Sequence, residues 1–206
     1  GILQMNKILP FLFALLLTPG LSLAQQSGSY ATSSAGNSQS RPAPDTILRI
    51  GIQDLQKFLN SDMAGNKEAL VGLIRVRIAP QFDIETLARW SGGYWSQQMN
   101  PEQRKAFTTK LAKSFFSSLA NIVDGYAGNM PEVQFMPHRR INQNEVDVTA
   151  RVLRPNNYPI DVRFSFHKTP RGWLIFDVST NGISAINYYR KMFNTRARQG
   201  GLGALY

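Results

Sequence analysis

The sequence predicts an α+β fold in which helices cover one face of a curved antiparallel sheet of about four strands. Three observations lead there. Apolar residues recur at helical spacing from about residue 45 to 123, the period then changes to strict alternation between 146 and 166, and helical spacing returns after 182. Helices first, then a meander, then a helix is a layered α+β order. The length behind the leader suits one domain with a sizeable core.

The first helix follows Asp45, an acid able to cap the first amides, and carries Leu48, Ile52, Leu55 and Leu59. Asn66 begins a second, with Leu70, Ile74 and Ile78 on one face, and Pro80 closes it. Asp83 can cap a short third helix bearing Leu87 and Trp90. Gly92-Gly93 reads as a turn. Asn100-Pro101-Glu102-Gln103 combines a capping side chain, proline at the first helical position and an acid in the first turn. Behind it Phe107, Leu111, Phe115, Leu119 and Val123 form an apolar stripe, with Lys105, Lys110, Lys113 and Asn121 away from it, and fraying is expected at residues 125–128.

Beyond Pro131 the chain reads as strands. Val146, Val148, Ala150 and Val152 alternate with Asp147, Thr149 and Arg151, and Ile160, Val162, Phe164 and Phe166 alternate with Asp161, Arg163 and Ser165. The turn segments at 142–144, 155–158 and 169–172 are short enough to make successive strands antiparallel neighbours. Residues 173–179 are apolar nearly throughout, so both faces of that strand are expected to be covered. A final helix is expected to carry Ile183, Ile186, Tyr189 and Phe193 and to end at Gly200-Gly201.

Two stretches precede the domain, which is expected to span residues 45–206. Met5, Asn6 and Lys7 open a basic segment, Ile8 to Leu17 is apolar, Pro19 and Gly20 break it, and Ser22-Leu23-Ala24 is a small-x-small site. Those are the parts of a secretory signal peptide cleaved after Ala24, with Gly1 to Gln4 upstream of the true start. The apolar run is short of the ~20 residues a membrane span needs. Residues 25–44, QQSGSYATSSAGNSQSRPAP, have almost nothing large and apolar to bury and read as a disordered leader.

The formal charge is +10, of which the export segment contributes one through Lys7 and no acid, leaving +9. Outside the cytoplasm that excess meets membrane headgroups, envelope polymers or acidic protein faces rather than nucleic acid. A solubilising surface would account for it equally. Cysteine is absent, which excludes disulfides, thiolate metal sites and acylation on cysteine. No GxSxG, Walker or GxGxxG motif occurs. His138 and His167 both fall on expected strands, and neither has a carboxylate or histidine at ligand spacing, so no metal site is indicated. Asp177 interrupts an apolar run and would act as a general base in a closed isomerase-like cone, although a carboxylate bonded to nearby backbone fits the same pattern better. Trp90, Tyr94 and Trp95 fit core packing or an interfacial anchor, and Arg139-Arg140 fits a solvated edge or a phosphate contact.

From Phe82 onward the order of residues resembles the MlaC family of periplasmic phospholipid-binding proteins, also described as toluene-tolerance auxiliary transport proteins. The resemblance rests on Phe82-Asp83-Ile84-Glu85-Thr86-Leu87-Ala88 with Trp90, on Tyr94-Trp95, and on Pro101-Glu102-Gln103-Arg104 with Phe107. It continues through Gly172-Trp173, Asp177-Val178, Gly182-Ile183-Ser184 with Ile186, Tyr189-Arg190, Phe193 and Gly200-Gly201-Leu202. It implies a twisted antiparallel sheet packed with helices around a deep apolar cavity for acyl chains, with the headgroup near solvent. It implies no catalysis, no cofactor, and phospholipid as cargo. It also implies transfer between an outer-membrane lipoprotein complex and an inner-membrane transporter with an MCE domain. Under that resemblance the expected wall residues are Val148, Val152, Val162, Phe164 and Phe166 from the sheet, Phe115, Leu119 and Val123 from the long helix, and Ile183 and Ile186 near the end. Each of them suits a plain core as well. The long leader and the end of the chain soon after Gly200-Gly201 depart from the family pattern. A small enzyme using Asp177 or His167 in a closed cone, or a binder of an anionic envelope polymer, are the alternatives that the residues leave open.

Overall fold

The computed structural model describes residues 41–154 and 156–206. The expected signal peptide and residues 25–40 of the expected leader lie outside the described residues, as does Pro155 in the third turn segment.

Helix α1 spans Pro44–Leu59. Its cap position is Ala43, with no side-chain cap, because Pro44 takes the first helical position, two places earlier than expected. Asp45 therefore falls inside the first turn, and its carboxylate accepts from His138 Nδ1 at 2.8 Å instead. Helix α2, Lys67–Leu73, is capped as expected, the Asn66 side chain accepting from the Ala69 amide at 3.0 Å. It continues through a π-helical turn, Ile74–Ile78, and a 3-10 turn, Ala79–Gln81, that contains Pro80. Leu70, Ile74 and Ile78 are all buried through this change of pitch.

Helix α3, Ile84–Gly92, is capped by Asp83, which accepts from the Thr86 amide at 3.0 Å. A short α4, Tyr94–Gln97, follows a bend at Gly93, whose φ of 51° lies in the left-handed region that glycine adopts without strain. Gly92 permits the bend's close packing, since a Cβ there would stand 2.7 Å from Ser96 Cβ. Helix α5, Pro101–Asp124, starts with a full capping box between Asn100 and Gln103.

The sheet has three long strands, β3 (Glu145–Val152), β4 (Ile160–Thr169) and β5 (Gly172–Thr180), joined as an antiparallel meander. Short strands extend it: β1 (Val133–Phe135) and β2 (Arg139–Arg140) pair with β3, and β6 (Ile183–Ser184) pairs with β5. Two placements differ from expectation. His138 lies in the loop just before β2 rather than on a strand, and Ile183 lies on β6 rather than on the last helix. Helix α6, Ala185–Gly200, begins after Ile183 because the Ser184 hydroxyl caps it, accepting from the Asn187 amide at 3.1 Å.

A β-bulge between β4 and β5 decides which way β5 points. Ser165 pairs with Asp177 and Phe166 with Ile175, leaving Phe176 as the extra residue. Ile175 and Val178, three apart, therefore share one face of the sheet. Ile175 joins a core with α1, α2 and α5, while Phe176 joins a second core built from α3, α5 and α6. Both faces of β5 are covered, as its apolar run predicts.

Candidate functional site

Between α1, α5, the first turn of α6 and the inner face of the sheet lies a cavity of about 320 Å³. The cross-strand pairs of the sheet form its floor in rows. In the row of Val146, Phe166 and Ile175 only Ile175 reaches the cavity. Phe164 and Val178 reach it in the next row, and Ala150, Val162 and Thr180 all do in the third. Phe166 and Val148 are 0 % exposed, whereas Val152, Val162 and Phe164 are half-buried. Phe82, which bridges to Ile175, borders the cavity on one side, and Met130, Pro131, Val152 and Ile183 border it as well.

Seven of the expected wall residues border the cavity: Val152, Val162, Phe164, Phe115, Leu119, Val123 and Ile183. Three do not. Val148 and Phe166 belong to the solid part of the first core, and Ile186 packs in the second core with Tyr189 and Phe193. Helix α1 also supplies Ile47, Leu48, Gly51, Ile52, Leu55 and Leu59 to the wall, none of them among the expected wall residues. Its stripe of apolar residues was visible, but a stripe that faces a hollow and one that faces a core are written with the same residues.

Polar groups on the wall are few. The Thr180 hydroxyl is buried with no hydrogen-bond partner, and leaving such a group unpaired costs about 1–3 kcal/mol. The Tyr189 hydroxyl lies beside Ser114 without a hydrogen bond of good geometry, and burial pushes it up to about 12 against the effect of that serine. Burial likewise pushes Tyr126 up to about 12, against the positive charge of Arg154, and raises Tyr188 against that of Arg196.

Neither residue considered for catalysis stands in the hollow as a free base. Asp177 Oδ1 accepts from the Val178 amide at 2.9 Å and the Ile186 amide at 3.2 Å, tying β5 to the first turn of α6. Burial raises its carboxyl above the usual range, despite bonds from Ile186, Ser184 and Val178 that act the other way. His167 Nε2 lies 2.8 Å from Asp83 Oδ2, which also accepts from the Thr86 hydroxyl at 2.9 Å. Burial acts to raise the Asp83 carboxyl, but Thr86 and His167 outweigh it and hold it below the usual carboxylate value. Both histidines thus meet carboxylates far away in sequence, which spacing alone does not reveal. Arg139 Nη2 donates to Asp147 at 3.0 Å, and Trp95 Nε1 donates to Asn194 at 3.0 Å. Trp90 packs edge-on against Phe176 with 40 % of its surface exposed. Among the described residues no cluster of three or more His, Cys, Asp or Glu side chains could hold a metal ion, and no helix is long and apolar enough to cross a membrane.

Helices laid over an antiparallel sheet around an apolar hollow define a fold with room for an apolar guest rather than one with a solid core. The chain belongs to the MlaC family, whose model, described as MlaC protein, matches residues 51–206. A solved structure of similar fold is the phospholipid-binding protein from Ralstonia solanacearum, determined in complex with a phospholipid. It is 23 % identical, with a TM-score of 0.64, over 77 % of this chain and 90 % of that one. No curated protein matches the chain.

Proposed function

We propose that the protein is a periplasmic phospholipid carrier that holds acyl chains in the cavity and shuttles lipid between an outer-membrane lipoprotein complex and an inner-membrane transporter with an MCE domain. The observation that carries this reading is the apolar hollow of about 320 Å³ between α1, α5 and the sheet. Family membership and the phospholipid in the Ralstonia structure support it. Export follows from the signal expected at Met5 to Ala24.

The physics suits a carrier. Two acyl chains of roughly thirty methylenes would cost on the order of 20 kcal/mol exposed to water, so transit requires enclosure. A carrier that only bound tightly would keep its cargo, so release requires a partner that favours a more open cavity. Binding rather than catalysis also fits the site chemistry, because Asp177 and His167 are engaged in holding α6 and α3 to the sheet.

Transfer between vesicles tests the proposal. Delipidated protein added to donor vesicles carrying a labelled phospholipid should leave with label and deliver it to acceptor vesicles. Folded protein that takes up no label refutes the carrier reading.

A further inference from the structure

A second hollow, of about 280 Å³, lies between the segment that leads into α1, the 3-10 turn Ala79–Gln81 and the β4 to β5 turn. Ile47 and Gln81 line both hollows, so the two are neighbours. Their chemistry is opposite. Arg41 and Arg171 line the second, with Gln81 and Trp173, and no aspartate or glutamate does. Both arginines are exposed, and among the described residues neither guanidinium donates a hydrogen bond or meets a carboxylate. A third cation stands beside them, Lys168 Nζ lying 6.0 Å from the centroid of the Trp173 ring, its cross-strand partner. Asp45 and Asp83, the acids nearest in sequence to Arg41 and Gln81, are engaged elsewhere, by His138 and by His167 with Thr86. Residues 1–40 contain no acid, so the preceding chain brings no counter-charge.

The hairpin turn brings the two arginines together. Thr169 Oγ1 donates to the Gly172 carbonyl at 2.8 Å and accepts from the Arg171 amide at 3.1 Å, which fixes the turn. Gly172 has a φ of 105°, and a Cβ there would stand 2.8 Å from Arg41 Cδ. Glycine thus serves twice, adopting the left-handed backbone and letting the stem of Arg41 lie against the residue next to Arg171. Like charges gathered in this way repel in the empty protein and are compensated once an anion arrives. Two guanidiniums from different segments suit a tetrahedral anion, whose oxygens point apart, better than a planar carboxylate, which one fork satisfies. We propose that this hollow is a phosphate site, in which Arg41 and Arg171 donate to the oxygens of a phosphate group and so clamp the start of α1 to the β4 to β5 turn. The phosphate is either soluble or carried by a lipid headgroup at a membrane surface. The site does not depend on the carrier reading.

Titration of nitrogen-15-labelled protein with inorganic phosphate at constant ionic strength tests this, read at the Gly172 amide and the Trp173 indole N–H by nuclear magnetic resonance. Both signals are expected to shift along one saturating curve with a Kd on the order of 1 mM, the worth of about two charge-assisted hydrogen bonds. Arg171→Gln should weaken binding about tenfold, the worth of one such bond, and the double variant Arg41→Gln, Arg171→Gln should abolish saturation. Lys110→Gln, which removes an exposed charge on α5, should leave the curve unchanged. Vesicles of phosphatidylglycerol in phosphatidylcholine separate the two sources. Co-sedimentation that the double variant loses assigns the site to a lipid headgroup, and saturation by inorganic phosphate without co-sedimentation assigns it to a soluble phosphate. Unsaturated shifts together with no co-sedimentation, or a response undiminished in the folded double variant, overturn the site. Saturation by a glutamate-rich peptide and not by phosphate also overturns it, in favour of an acidic protein face.

Discussion

Replacing Val162 by phenylalanine separates a hollow from a packed core by the sign of a stability change. Val162 borders the cavity and is half-buried, whereas Val148, on the neighbouring strand, is 0 % exposed within the solid core. A phenyl ring at 162 would bring on the order of 60 Å² of additional apolar surface into the hollow, worth about 1.5 kcal/mol at about 25 cal/mol per Å². For a domain of this size that is a rise of about 3–6 °C in melting temperature. The same ring at 148 has no room and should cost about 1–3 kcal/mol through overpacking. Thermal and urea unfolding of delipidated protein read both, and phospholipid retention provides the functional counterpart. Val162→Phe is expected to stabilise the empty protein while reducing bound lipid. A Val162→Phe protein destabilised as much as Val148→Phe would refute the reasoning, because it would mean that the wall residues are close-packed.

Three further outcomes are expected. Asp177→Ala leaves the Val178 and Ile186 amides without their acceptor and should cost about 1–3 kcal/mol in urea unfolding, whereas Asp177→Asn, which keeps an oxygen there, should cost about 1 or less. The folded Asp83 carboxyl lies below its unfolded value, so its contribution is present above the unfolded value of about 3.9 and is lost as pH falls through the folded one. Stability measured between pH 6 and 2 should therefore fall more steeply in the unaltered protein than in Asp83→Asn, and parallel curves would contradict a carboxyl held low by Thr86 and His167. Gly92→Ala should destabilise by about 1–3 kcal/mol, since its Cβ would stand 2.7 Å from Ser96 Cβ and 3.1 Å from Phe107 Cε1; calorimetry showing no change would contradict that packing.

The elements whose signals are local were legible in the sequence. Asn66, Asp83 and the Asn100 to Gln103 box cap the helices expected of them, and the alternation in β3 and β4 gives their pairing. Short elements were not legible, because β2 and β6 have two residues each and alternation has no period to show there. Asp45 misled because the proline beside it takes the first helical position and moves the helix start by two places. The wall was half legible: Val162 and Val148 are written in the same alternation, and only where the helices stand over the sheet separates cavity from core. The bulge at Phe176 breaks that alternation without any residue that marks it. The pair of His167 and Asp83 is separated by 84 residues and depends on α3 docking beside β4, a matter of tertiary packing.

The measurement that bears most directly on the lipid cavity is the organic extract of the protein as purified from a periplasmic fraction, weighed by mass spectrometry against protein concentration. Phospholipid with two acyl chains is expected at about one equivalent per chain, since one cavity holds one guest. Well-folded protein that yields no phospholipid, and that takes up none when mixed with vesicles, would contradict it.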